Sequence, residues 1–328
     1  MSRQNSLRIA SLIPSGTDIA AFLGLERQLV GVSHCCDHPA RAHLPVLTHS
    51  RIPSHHQATP LEVDNAVSSA VSSGESLYLT HRDLLEQLAP DVVLSQDVCN
   101  VCAVSADQAS CDLPAGARLV MLSATSLAGL WDDLERVGRA TGTLERARDA
   151  VSELQTRLER VTQRVQGRAR PRVLALEWSD PPFLGGHWVP ELIHLAGGDH
   201  VLSGPGEASR RSSWAEIAAA DPDVIVFMPC GYTLVEAEIE ARALLERCPE
   251  FAHLRAVREG RLWITDATRL FSRCTPVSVW ATEVLAGILH GVYDLELGNE
   301  QGNQLAEAVQ MGFEYSTPRA TKARFVGP

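Results

Sequence analysis

No stretch of this 328-residue chain approaches the ~18 uninterrupted apolar residues that a membrane-spanning helix needs, so it is not expected to cross a bilayer. Basic residues are also scarce. Lys and Arg number 29 against 40 Asp and Glu, a net charge of −11, and phosphate recognition needs the opposite balance, which excludes nucleic acid as the expected partner. The opening MSRQNSLRIASLIPS has no apolar h-region, no small-residue cleavage site and no lipid-attachment cysteine. As written, the chain is expected in the cytoplasm; a mis-assigned start or trimmed leader would make it periplasmic or extracellular. Catalytic signatures are missing too: there is no G-x-S-x-G elbow, Walker A loop, strand-following G-x-G-x-x-G or H-E-x-x-H pair. Asp37, Asp97, Glu177 and Asp180 lie near expected strand ends, where carboxylates are common, so no enzymatic activity is expected.

What is present reads as a folded α/β chain. Apolar residues make up 45% and charged residues 21%, and the length suits two core-bearing domains. Two segments follow one plan. RIASLIPSGTDIAAFLGLERQLVGVS, from Arg8, gives a short apolar strand, a Pro/Ser/Gly turn, a helix and a second strand. RVLALEWSDPPFLGGHWVPELIHLAGGDHVL, from Arg172, repeats that order. LAPDVVLSQ pairs with AADPDVIVFM, and RLVMLSA with RLWITDA. Short continuous apolar strands alternating with helices predict parallel sheets covered on both faces. Between the halves, Leu144 to Val165 places Ala147, Val151, Leu154, Leu158 and Val161 three or four residues apart, the stripe of a single long helix. The expectation is two similar α/β lobes joined by a rigid helix, with a ligand cleft between the lobes. The divisions are an N-terminal lobe at 1–125, a helical connector at 126–168, a C-terminal lobe at 169–295 and a polar tail at 296–328.

The strand–PSGT–helix–LGL opening, the APDVVL run and the single long central helix resemble the substrate-binding proteins of cobalamin, haem and iron-siderophore ABC importers, over roughly residues 7–291. Within that family, EWSDPPFLGGHWVPELIHLAGG and the CxxC at 99–102 look most like a cobalamin-binding subgroup. The resemblance implies a non-catalytic receptor, a monomer, that requires no cofactor, takes cobalamin or another metal chelate as its small-molecule ligand and works with an ABC permease.

Ligands of open parallel sheets bind beyond the carboxyl ends of the strands. That rule collects Ser15 and Gly16 after the first strand, and His34, Cys35, Cys36 and Asp37 after the second. Cys99 and Cys102 follow APDVVL. In the second half it collects Trp178, Phe183, His187 and Trp188, then Cys230 and Tyr232, then Phe271, Arg273 and Cys274. Trp178, Phe183 and Trp188 offer flat faces to a planar macrocycle, and His187 offers an axial nitrogen. Packing of the tryptophans in the core and capping of a helix by His187 account for the same residues. Cys99 and Cys102 have three readings: pocket-lining thiols, a redox pair, or soft ligands that with His34 hold zinc or iron in a thiol-rich metal-binding protein or metalloenzyme.

Overall fold

The computed structural model describes residues 6–54, 57–98 and 106–292. Contacts divide the chain into two units, Met1–Glu153 and Leu154–Pro328.

The first unit runs β1 (Ile9–Ser11), α1 (Pro14–Phe22), β2 (Leu29–Gly31), β3 (Thr48–Ser50), α2 (Pro60–Ser72), β4 (Tyr78–Thr80), α3 (Arg82–Leu88), β5 (Val92–Gln96), α4 (Ala106–Cys111), β6 (Arg118–Leu122) and α5 (Leu127–Thr141). Its main sheet has the order β2-β1-β5-β6, and every pairing is parallel, with Ile9 opposite both Leu29 and Val92, and Leu94 opposite Val120. The first four residues of β5 are buried, which is why that strand reads as an unbroken apolar run. Helix α1 lies tightly on the sheet: a Cβ at Gly16 would stand 2.7 Å from Ser11 Oγ and 2.9 Å from Leu94 Cβ. Helix α2 begins with a capping box, Thr59 Oγ1 accepting from Glu62 N–H and the Glu62 carboxylate accepting from Thr59 N–H. The antiparallel hairpin of β3 and β4 is a feature the repeat pattern did not anticipate.

Helix α6 (Leu144–Val165) has the bounds expected from its periodicity, and contributes residues to both units. Ala147, Leu154, Leu158 and Val161 are buried as the stripe requires; Ala150 is also buried, and Val151 is half-buried.

The second unit continues with β7 (Arg172–Ser179), β8 (Pro182–Leu184), α7 (Val189–Leu195), β9 (Asp199–His200), β10 (Arg210–Arg211), α8 (Trp214–Ala220), β11 (Val224–Phe227), α9 (Leu234–Arg247), α10 (Pro249–Ala252), α11 (Arg255–Arg258), β12 (Leu262–Ile264), α12 (Ala267–Leu270) and α13 (Val277–His290). Strands β9, β11 and β12 repeat the parallel design around β7, and Phe227, Leu176 and Ile225 lie at the centre of the core they share with α9 and α10. The sheet is mixed, because β8 and β10 add antiparallel strands in the order β10-β8-β7-β11-β12. The DPPFL stretch, expected as a loop, therefore turns back as a hairpin on β7. Two residues between strands are enough for an antiparallel return, whereas a parallel one needs a crossover.

Among the described residues no helix is long and apolar enough to cross a membrane.

Candidate functional site

The end of β7 is built around a bulge. Leu176 pairs with Leu184 and Trp178 with Phe183, so Glu177 is the extra residue. Beyond it, Trp178 of β7, Phe183 of β8 and Arg211 of β10 form one cross-strand row. Residues directly opposite in antiparallel pairs share a face, and here the Arg211 guanidinium lies 5.6 Å from the Phe183 ring centroid. On the other side, Tyr232 meets Trp178 edge to face at 5.6 Å. Burial, first, and then the nearby Glu240 charge push the Tyr232 phenol up, so it stays protonated. Trp178 and Phe183 are half-buried, while Tyr232 is buried.

Hydrogen bonds tie the neighbouring strand exits together. Cys230 N–H donates to the Glu177 carbonyl at 3.0 Å, Thr268 N–H to the Tyr232 carbonyl at 3.1 Å, and Gly231 N–H to Ser272 Oγ at 3.1 Å. The carboxyl ends of β7, β11 and β12 thus form one connected surface within this unit. Phe271, at the end of α12, is buried, and Arg273 is half-buried.

The GGHW turn leaves this surface toward α7. A Cβ at Gly186 would stand 2.2 Å from Ser209 N, so the bare Cα of that glycine is used by backbone of this chain rather than by a ligand. His187 has a left-handed φ of 52°, held by its N–H donating to the Glu207 carbonyl at 2.5 Å and by Gly206 N–H donating to its own carbonyl at 2.8 Å. A non-glycine residue there is strained and persists because both partners enforce it. Its ring stacks on Trp188 at 5.9 Å; His187 Nδ1 and Trp188 Nε1 are buried with no hydrogen-bond partner among the described residues. Burial lowers the His187 pKa, so the imidazole is neutral. Trp188 is the N-cap residue of α7 and makes no side-chain cap, so His187 does not play that role.

Two titratable groups brace this turn: Glu177, which the sequence offered only as one of several carboxylates near strand ends, and His200, which it did not single out. Glu177 accepts from Ser209 Oγ–H at 2.7 Å and from Gly186 N–H, and burial pushes its carboxyl up to about 7. His200 accepts from Ala175 N–H at 3.1 Å, and burial pushes it down to about 4; its neighbour Ser203 donates to the Gly185 carbonyl at 2.7 Å. Ordinary polar residues in a loop carry no sequence signal of such bracing.

In the first unit, Ser15 is buried in the first turn of α1, and Gly16 is spent on the close contact with the sheet. His34 follows β2, its Nδ1 sharing a 2.7 Å hydrogen bond with Thr48 Oγ1, which also accepts His34 N–H at 3.0 Å. Its ring lies 5.4 Å from Tyr78, and burial, then the Arg41 charge, lower its pKa. Tyr78, from the unanticipated hairpin, is a neighbour the sequence analysis missed. Cys35 and Asp37 are exposed, while Cys36 is buried and its thiol is pushed up by that burial. Cys99 and Cys102 lie outside the described residues. Among the described residues no three His, Cys, Asp or Glu side chains are grouped to hold a metal ion, and the His34 nitrogen remaining for a ligand is Nε2.

Parallel α/β units with polar and aromatic side chains at their strand exits define a ligand-binding scaffold. The chain matches the periplasmic binding protein family over residues 9–268 and belongs to it. Three solved structures share the fold. An ABC transporter substrate-binding protein from Listeria monocytogenes superposes with a TM-score of 0.66 at 18% identity, covering 88% of this chain and 100% of that one. A periplasmic haem binding protein from Pseudomonas aeruginosa gives 0.65 at 22% identity, covering 88% and 94%. The periplasmic vitamin B12 binding protein of Vibrio cholerae gives 0.62 at 21%, covering 86% and 96%. No curated protein sequence matches. The expectation of a cytoplasmic location finds no support in these comparisons, since the family is described as periplasmic.

Proposed function

We propose that this chain is the non-catalytic receptor of an ABC importer and that its ligand is a corrinoid, cobalamin or a close relative. The observation that carries the proposal is the row Trp178, Phe183 and Arg211 with Tyr232 at its end: a flat, partly open aromatic surface fixed by strand register and by three linked strand exits. Such a surface stacks on a planar macrocycle at small entropic cost, because the rings are already ordered. Arg211 supplies charge and hydrogen-bond donors to polar substituents. His187 is neutral, keeps a lone pair at neutral pH, and is the proposed nitrogen donor to the metal of the chelate. Similarity of fold to a vitamin B12 binding protein supports this ligand class, and similarity to a haem binding protein defines its main competitor.

Titration with aquocobalamin and with haem, followed by corrin or Soret absorbance and by calorimetric heat, separates the two. A corrinoid Kd in the micromolar range or tighter is expected, with Trp178→Ala weakening it by about tenfold or more and His187→Ala removing the spectral shift. No heat and no spectral change with aquocobalamin at tens of micromolar, or tight binding of haem alone, would overturn the corrinoid assignment.

A further inference from the structure

Strand β6 is the last strand of the first unit's sheet, and among the described residues one of its edges has no strand partner. Between β6 and α5 lies a groove of about 440 Å³, lined by the arginines Arg118, Arg136 and Arg139 and by a single carboxylate, Asp97. Leu119, Met121 and Ala140 also line it. Three guanidiniums against one acid is an unusual lining in a chain with a net charge of −11.

The arginines have donors to spare. Arg136 uses Nη1 for three contacts, with the Met121 carbonyl at 2.6 Å, Asp133 Oδ1 at 2.5 Å and Ser123 Oγ at 3.3 Å, while its Nε and Nη2 have no partner among the described residues. Arg139 uses Nη2 for Glu135 at 2.6 Å, and that carboxylate is shared with Arg148 at 3.9 Å. The Arg118 side chain makes no hydrogen bond or ion pair among the described residues. The nearby Asp133 carboxylate is buried and committed to Ser123 N–H, Ala124 N–H and Arg136, so it offsets the Arg136 charge; Glu135 is divided between Arg139 and Arg148, and Arg118 is left with no counter-charge among the described residues.

An added β-strand is not the occupant this edge favours. The Met121 carbonyl already accepts from Arg136 and the Ser123 N–H already donates to Asp133, so a ladder along β6 would meet occupied groups in its second half. Planar guanidinium forks beside apolar lining residues fit instead a compact molecule with a carboxylate or phosphate head. We propose that the β6–α5 groove is a second binding site, for a small organic oxyanion, in which Arg118 and Arg139 grip the anionic head and Arg136 fixes its position. The inference stands apart from the corrinoid assignment, since no residue of the groove belongs to that surface.

Inorganic phosphate and succinate are the minimal probes, with chloride at matched ionic strength as control, read by calorimetry and by melting temperature at pH 7.5. Saturable binding of phosphate, succinate or both is expected, weakened at least tenfold in Arg118→Gln/Arg139→Gln, with aquocobalamin titration unchanged in that variant. Which probe binds tells phosphate from dicarboxylate chemistry. A melting shift no larger than in chloride, or probe binding undiminished in the double variant, overturns the proposal. Arg118→Gln, which removes no contact of the fold, carries the same test if the double variant does not fold, with a loss of at least threefold expected.

Discussion

At Glu177 a carboxyl group is held in the bulge of β7, accepting from Ser209 Oγ–H and Gly186 N–H, with its pKa raised by burial from the ordinary carboxylate value to about 7. A proton retained in the folded state and lost in the unfolded one stabilises the fold below the unfolded pKa, and that contribution is lost as pH rises through about 7. The size is on the order of 3 kcal/mol at most, from roughly 1.4 kcal/mol for each tenfold change in proton affinity. Glu177→Gln keeps an acceptor for both donors and cannot ionise. The variant is therefore expected to match the wild type in melting temperature at pH 5 and to exceed it at pH 8; equal melting curves at both values would show that the carboxyl is not buried as described. His200 acts in the other direction: its folded pKa is depressed to about 4, so its contribution is present above about 6.5 and lost as pH falls through 4. Neither residue was legible as a brace. What marked the region in the sequence was its aromatic and glycine content, which located the turn but not what fills the space at Gly186. The space at Gly186 is filled by the Ser209 backbone, a contact between residues 23 apart that no local pattern encodes.

Helix α6 was the most legible element, because an apolar stripe on a charged segment has one stable solution, a helix with that stripe against a core. The pairing of its later half is not in the periodicity. Arg157 forms two hydrogen bonds with Glu283 of α13, at 2.5 and 2.9 Å, and lies over the Trp280 ring at 4.9 Å, with both charged side chains largely buried. A buried pair adds little beyond an apolar alternative, but breaking it from one side leaves a desolvated charge. Arg157→Ala is expected to cost about 3–5 kcal/mol in denaturant unfolding. Arg157→Met with Glu283→Leu should recover most of that loss, whereas an unrecovered double variant would mean that packing on Trp280, not charge, fixes the helix. The β8 and β10 strands were illegible for a related reason. Two or three residues carry no period, and only the Trp178–Phe183–Arg211 register, visible in three dimensions, makes them strands.

At the scale of the chain, the repeated half-patterns were enough to predict two α/β units, since each copy of strand, turn and helix needs a parallel sheet to cover its apolar strands. Net charge then bears on which ligand arrives. A protein at −11 attracts a cation and repels an anion at long range, and salt removes the effect once the Debye length falls to roughly 10 Å near 0.1 M. Aquocobalamin carries a positive charge, cyanocobalamin is neutral, and haem carries two propionates. Raising salt from ~10 to ~200 mM is therefore expected to slow association of aquocobalamin a few-fold, to leave cyanocobalamin unchanged and to speed any association of haem. Stopped-flow quenching of tryptophan fluorescence reads all three, with Trp178 beside the proposed surface as reporter. If aquocobalamin association were independent of salt, the acidic charge would have to lie away from the entry to the site, and electrostatics would play no part in selecting a corrinoid over haem.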